Sequence, residues 1–428
     1  MSMAQALPDD GVMRAADGTP LKVALARAER RERLKALGLV APLFAFIVLS
    51  FVVPIIVMLY NSVYDPDVAQ TLPRTVEALS TWDGKELPSE DVYAALAADM
   101  KEASNQQVAL VGKRLNYEMS GVRSKVINTG RKVKQLEQGP YKDALIGMDK
   151  IWGNPETWST IKRSSSDWTP FYILSMLDLR QSPDGGIEAI PADRAIYKDI
   201  LVRTLGISLL VTVMTLILGY PVAYLLATSP QKTAAILMIF VLLPFWTSLL
   251  VRTTAWMILM QDGGVFTQLL NITGITWLLN LFGAVDGEPQ LFKTRFSTIV
   301  AMTHIQLPFT LLPIYSVMKT ISPNYMRAAK SLGGTPFYCF LRVYMPQTIP
   351  GVAAGCLLTF ILCLGYYITP ALVGGPTDQM ISGFIERAIN NENNWGKASA
   401  LGVILLIATL ILYYVYNKLI GIDRMKLG

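Results

Sequence analysis

Few side chains in this sequence can do chemistry, and they lie far apart. The single histidine, His304, stands in an apolar run without the companions that a metal site or proton relay needs. Cys339, Cys356 and Cys363 form no CxxC pair and read as small packing residues. No G-x-x-x-x-G-K-[ST] phosphate loop occurs, and Gly263-Gly264 and Gly374-Gly375 are too short to serve as one. Two features remain. Arg252 lies inside an apolar segment, where a charge is tolerated only against protein or water. Its expected role is bonding to backbone carbonyls or to Asp262, the alternative being a gate. Phe245, Trp246, Trp256, Tyr366 and Tyr367 carry negative ring faces that suit a cation, although aromatics in such segments mostly pack. No carboxylate falls within any apolar segment, and no residue set suggests a metal.

The elements that hold these residues are membrane helices. The 428 residues are 52% hydrophobic and only 16% charged. The mean hydropathy is +0.38, which marks a multi-span integral membrane protein. The formal charge of +6 matters less than where the cations lie. Since roughly 20 apolar residues cross a bilayer, six spans are expected at Leu37–Tyr60, Leu201–Ala227, Ala234–Met260, Ser297–Met318, Ile349–Val373 and Ala398–Tyr416. The first is too long for a signal-peptide core and lacks a cleavage site, so it is read as retained. Val265–Val285 is nearly long enough, but Gln268, Asn271, Gly274 and Asn280 interrupt it.

Charge settles the count. Lys22, Arg27, Arg30, Arg31, Arg33 and Lys35 precede the first span and put segment 1–36 in the cytoplasm. Six spans then bring Lys232, the loop with Lys319, Arg327, Lys330 and Arg342, and the tail with Lys418, Arg424 and Lys426 to the same side. A seventh would expose that loop and tail outside. Val265–Val285 therefore becomes a re-entrant or interfacial element on the outer face.

Residues 61–200 differ in kind from the spans. They are polar, of mixed charge, helix-like over Glu90–Lys101 and Asn105–Glu137, and broken at Pro73, Pro88, Gly139-Pro140, Asn154-Pro155 and Pro183–Gly186. This is an extracytoplasmic insert, either a helical spacer or a docking domain, with nothing catalytic in it.

The loop at 319–346 is more elaborate than a connection requires. Ser322-Pro323 is a capped helix start, Gly333-Gly334 a stop, Thr335-Pro336 a second start, and Pro346 a limit to the second helix. Arg327 and Lys330 share one side of the first helix and leave Tyr325, Ala329 and Leu332 for packing. Phe337, Phe340, Leu341 and Tyr344 form an apolar stripe on the second. From Pro289 to Thr377 there is no acidic residue, so these cations lack a local partner.

R-A-A-K-S-L-G-G-T-P-F-x-x-F-x-x-V-x-x-P-x-x-x-P-G resembles the EAA loop of permease subunits of bacterial ABC importers. Ala328, Ala329, Leu332, Gly333, Phe340, Val343, Pro346, Pro350 and Gly351 stand where that motif has them. LPFWTSLLVRTTAW from Leu243, DGGVF from Asp262 and GYYITPALVGGP from Gly365 resemble the polyamine (spermidine/putrescine) branch. The likeness covers the first span and Asp199 onward, not the insert. The motif's leading Glu is Arg327 here, which puts in doubt any ion pair that Glu makes.

The resemblance implies an all-α integral membrane protein. Its fold would be the six-helix type I ABC importer (MetI-like) permease, here with a large helical extracytoplasmic insert (61–200) between span 1 (37–60) and the core (201–428). It implies an ATPase-coupling surface formed by Pro323, Tyr325, Arg327, Ala328, Ala329, Lys330, Leu332, Gly333, Thr335 and Phe340. The substrate path would involve Phe245, Trp246, Arg252, Trp256, Asp262, Tyr366 and Tyr367. Expected partners are an ABC ATPase dimer that holds the ATP and Mg, a second permease subunit (a heterodimer favoured over a homodimer), a periplasmic binding protein and the lipid bilayer. No cofactor is expected in this chain and no nucleic acid. The location implied is a bacterial inner membrane with both termini cytoplasmic. The substrate expected is a polyamine or a related small cation, with opine or amino acid, ferric iron or sulfate as alternatives. An ion-coupled secondary transporter is disfavoured by the missing intramembrane carboxylates.

Overall fold

The structure, a computed structural model, describes residues 20–182, 186–192, 194–282 and 287–420. The first nineteen residues, the Pro183–Gly185 part of the Pro183–Gly186 break, residues 283–285 of the Val265–Val285 stretch, and Arg424 and Lys426 of the tail lie outside the described residues.

The chain forms two units, 1–60 and 61–428. From Leu21 onward the first is one continuous helix. α1 (Leu21–Ile47) passes through a π-turn (Val48–Val52) into α2 (Val53–Asn61). The wide turn has a local cause. Val53 N–H reaches back to the Val48 carbonyl just before Pro54, whose ring would crowd an α-helical carbonyl and whose nitrogen has no hydrogen to offer it. The helix starts well before Leu37 and takes in the basic stretch from Lys22 to Lys35.

The insert folds around its own core. Its helices are α3 (Asp67–Thr71), α4 (Pro73–Leu79), α5 (Glu90–Glu102), α6 (Asn105–Glu118), α7 (Val122–Val133), α8 (Tyr141–Met148), α9 (Pro155–Arg163) and α10 (Phe171–Met176). A short antiparallel pair follows, β1 (Leu179–Gln181) with β2 (Ile187–Ala189). The helix expected over Asn105–Glu137 is two helices. Gly121 turns left-handed at φ +81°, and its N–H is caught by the Asn116 side chain at 2.8 Å. Trp152, Trp158 and Tyr93 fill the centre, each with its polar atom bonded: both indoles donate and the phenol reaches the Trp152 carbonyl at 2.7 Å.

The membrane core comprises α11 (Tyr197–Thr228), α12 (Gln231–Leu242), α13 (Leu249–Met260), α14 (Val265–Ile272), α15 (Ile275–Leu281), α16 (Arg295–Thr320), α17 (Pro323–Ser331), α18 (Pro336–Cys339), α19 (Met345–Leu364), α20 (Ile368–Val373), α21 (Ile381–Asn390) and α22 (Trp395–Ile420). Among the described residues, five helices are long and apolar enough to cross a bilayer, and one bent pair makes a sixth crossing if it counts as a single span. That pair corrects the straight segment expected at Ala234–Met260: α12 and α13 meet at 95°. Pro244 tightens the chain into a 3-10 turn, and Ser248 caps a new helix by accepting from Val251 N–H. The fifth span is also displaced from Ile349–Val373. Its helix runs over Pro336–Leu364, and Ile368–Val373 is a separate short helix.

Helices α11, α16 and α19 pack closely because small residues face each other. A Cβ on Gly355 would lie 2.5 Å from the Thr310 carbonyl oxygen, and one on Gly351 2.9 Å from that of Pro313. This is the small-xxx-small approach used between membrane helices. Polar groups at the seam close on themselves. Thr359 donates to Thr310 (2.6 Å), Thr310 to Thr215 (2.8 Å), and Thr215 to the Thr212 carbonyl (2.9 Å).

The insert seats on one end of this bundle. Tyr172 and Met176 of α10 share a buried cluster with Ile200 of α11, Ile381 of α21 and Leu401 of α22. A Cβ on Gly396 would sit 2.5 Å from the Tyr172 ring.

Candidate functional site

The 319–346 loop grows out of local caps. Ser322 Oγ accepts from Asn324 N–H at 3.3 Å and Pro323 takes the first turn of α17. The helix ends where Gly333 adopts φ +89°, and Gly334 N–H closes on the Ala329 carbonyl. A side chain on Gly334 would strike Cys339 Sγ at 2.6 Å, so the corner is tight. Thr335 then caps α18 through Tyr338 N–H. Contrary to expectation, Pro346 does not stop the second helix. A π-turn at Phe340–Tyr344 closes with Met345 N–H on the Phe340 carbonyl, and the helix runs on into α19. The device is the same as before Pro54: a widened turn makes room for the ring.

The faces of the loop also differ from the helical-wheel reading. Tyr325 is exposed, and Leu332 (89%) and Phe337 (72%) are almost wholly so; of the three residues expected to pack only Ala329 turns inward, joined by Met326. Arg327, Ala328 and Lys330 share the open side. Thus Pro323, Tyr325, Arg327, Ala328, Lys330, Leu332 and Thr335 form one outward surface, while Ala329 and Phe340 anchor it.

The anchor is aromatic. Tyr224 near the end of α11 meets Phe340 and Tyr344 edge-on, each at 5.3 Å between ring centres. Phe340 and Tyr344 stack along the π-turn at 5.9 Å, and Tyr220 adds an edge contact to Phe340 at 6.3 Å. Each such pair contributes about 0.5–1.5 kcal/mol beyond the area it buries. Above them Tyr220 hydroxyl donates to Thr348 Oγ1 at 3.1 Å. Met326, Leu237 and Met318 complete the cluster. Sequence reading found Phe340 and missed Tyr220 and Tyr224. Their i, i+4 spacing at the basic-flanked end of a span was the available signal.

Of the path residues, only some come together. Trp256 indole N–H donates to His304 Nδ1 at 3.1 Å and its ring leans on Phe266. That bond leaves Nδ1 as acceptor and puts the imidazole proton on Nε2. Arg252 is near enough to act electrostatically on His304 and Tyr366. Thr253 and Thr369 hydroxyls bond at 3.2 Å and tie α13 to α20. Phe245 packs edge-on against Phe309 instead. Trp246 is 75% exposed, and Tyr367 and Asp262 also face outward. The expected bonds of Arg252 are not made. Among the described residues its buried Nε has no hydrogen-bond partner, and Asp262 sits in the exposed turn after α13.

Loop and insert occupy opposite ends of α11. Ile200 is buried against the insert and Tyr224 against the loop. The helix between them is roughly 36 Å long at 1.5 Å per residue, enough to cross a bilayer.

The family described as binding-protein-dependent transport system inner membrane component matches residues 216–420. The spermidine/putrescine transport system permease protein PotB of Escherichia coli (strain K12) is 30% identical over 221 residues, 52% of this chain and 77% of that protein. The inner membrane ABC transporter permease protein YdcU of the same organism is 31% identical over 262 residues, 59% of this chain and 82% of that protein. A solved bacterial ABC transporter that imports alginate shows 18% identity at a TM-score of 0.39, over 53% of this chain and 79% of its own.

Proposed function

This chain belongs to the binding-protein-dependent transport inner membrane components and is a permease subunit of an ABC importer; from that premise we propose that it carries a polyamine such as spermidine or putrescine inward, driven by a separate ATPase that docks on the 319–346 loop. The carrying observation is the placement of loop and insert at the two ends of α11. In this reading α12 and α13 together make the bent third of six spans. The loop, Lys232 and both termini face the cytoplasm, and residues 61–200 face outside, where a binding protein delivers substrate. Helices α14 and α15 lie in the outer interface. A second, homologous permease subunit completes the pathway.

ATP acts by favouring one of two arrangements of the spans, and loaded binding protein by favouring the same one; neither moves the equilibrium without a difference in affinity between them. The exposed Arg327 is complemented by a carboxylate on the ATPase. The substrate rests on the likeness to PotB and on the aromatic faces of Trp256 and Tyr366 beside Arg252 and His304. One observation favours a second reading. Arg252, whose buried Nε has no hydrogen-bond partner among the described residues, would suit a substrate that carries a carboxylate of its own.

Purification of the chain with its co-expressed neighbours tests all of this. The ATPase should co-purify, and its turnover should rise with binding protein loaded with putrescine or spermidine. Stimulation only by a carboxylate-bearing solute would establish the second reading, and no co-purifying ATPase would sink both. Orientation is read separately: a membrane-impermeant maleimide should label Lys132→Cys in intact spheroplasts and Leu332→Cys only after permeabilisation.

A further inference from the structure

We infer that Tyr224 is the positioning residue through which the loop drives the membrane helices, with the π-turn at Phe340–Tyr344 as the element that changes shape. The inference rests on the permease reading above and adds where the stroke is received. Among the described residues, the outward surface of α17 has two inward anchors, Met326 and Ala329. Met326 joins the cluster that holds Tyr224, Phe340 and Tyr344. Displacement of α17 therefore reaches α11 through this aromatic cluster as well as along the short backbone link into α16.

The π-turn suits this role. Its bonds run one residue longer than those on either side, and Pro346 just beyond it has no N–H to restore the α-pattern. Exchange between wide and regular turns would rotate Phe340 and Tyr344 relative to α19 while Tyr220 stays tethered to Thr348. Packed aromatic contacts tend to switch between discrete arrangements, so a small rotation becomes a step of α11. Edge contacts of 5.3 Å from the Tyr224 ring to both Phe340 and Tyr344 make it the shared bearing.

The test uses the whole transporter in proteoliposomes, with substrate uptake per ATP hydrolysed as readout. Tyr224→Ala should lower that ratio, normalised to the ATPase that co-purifies, about tenfold, the size of an ordinary coupling free energy. Tyr224→Phe keeps both ring contacts and should restore it. Deletion of Val343, which removes the extra residue of the turn, should uncouple in the same way with Tyr224 intact. An unchanged ratio in Tyr224→Ala would overturn the inference. So would loss of ATPase co-purification in that variant, because the ring would then be holding the docking surface and not transmitting motion. If the parent itself recruits no ATPase, the permease reading fails first and this inference with it.

Discussion

Arg114 shows how much one residue can organise. It is 2% exposed and lies between Asp65 at 2.9 Å and Glu118 at 3.0 Å, with its guanidinium 4.1 Å from the Phe171 ring centre. Tyr172 hydroxyl donates to the same Asp65 at 2.6 Å, and Arg163 shares Glu118 at 2.8 Å. Removing the central cation would strip buried Asp65 of its ion pair and leave part-buried Glu118 to Arg163 alone, so Arg114→Ala should destabilise the insert by about 3–5 kcal/mol, read by denaturant melting. Nearby, burial and the like charge of Asp65 push the Asp67 carboxyl above its usual range. An acid whose pKa is raised by folding is held by the fold in its neutral form. That contribution is complete below the ordinary carboxylate pKa and is lost as pH rises through the raised value. Insert stability should therefore fall with rising pH across the mildly acidic range, and Asp67→Asn should flatten that slope in hydrogen-exchange measurements. Gly333 is a residue-scale constraint in the loop. At φ +89° a valine costs roughly 1–2 kcal/mol, and Gly333→Val should lower transport per ATP. Normal coupling in that variant would remove the corner from the mechanism.

At the level of elements, the close seam between α16 and α19 makes the sharpest prediction. Gly355→Val would drive methyl groups into the Thr310 backbone and should cost about 1–3 kcal/mol, seen as a lower melting temperature in detergent. Gly206→Ala, with open space around it, serves as the control and should be neutral or mildly stabilising. These elements also show what the sequence disclosed. Caps at Ser322 and Thr335 were plain to read because each is a local event between a side chain and nearby backbone, and the stop at Gly333 because glycine alone takes its positive φ freely. Apolar runs of about 20 residues likewise gave away α11, α16 and α22. Hydropathy could not disclose the 95° break, since Leu243–Ser248 is as greasy as its flanks; Pro244 and Ser248 were the clue and were outweighed by length. Pro346 misled for the opposite reason: proline ends an ordinary helix, but a π-turn lets it continue.

Across the whole molecule, the insert escaped a single-sequence reading because its core is built from distant contacts. Tyr93 bonds Trp152 across fifty-nine positions and Arg114 meets Asp65 across forty-nine, and no periodicity announces either. The intramembrane polar group was half visible. Arg252 and Trp256 stood out as costly or aromatic residues in a span, whereas His304 looked idle until Trp256 was found bonded to it. The joint between insert and bundle has a practical consequence. Because Tyr172 is wedged over Gly396 and Lys113 bonds the Asn393 carbonyl at 2.7 Å, the seam between α10 and α22 can be approached by a protein reagent from the insert's side of the bundle. A nanobody raised to straddle that seam should act as a brake. It would hold the two faces in one register and slow uptake by the assembled transporter, while a nanobody against α7, away from the seam, should leave the rate unchanged. With the insert facing outward as proposed, inhibition would need no agent inside the cell.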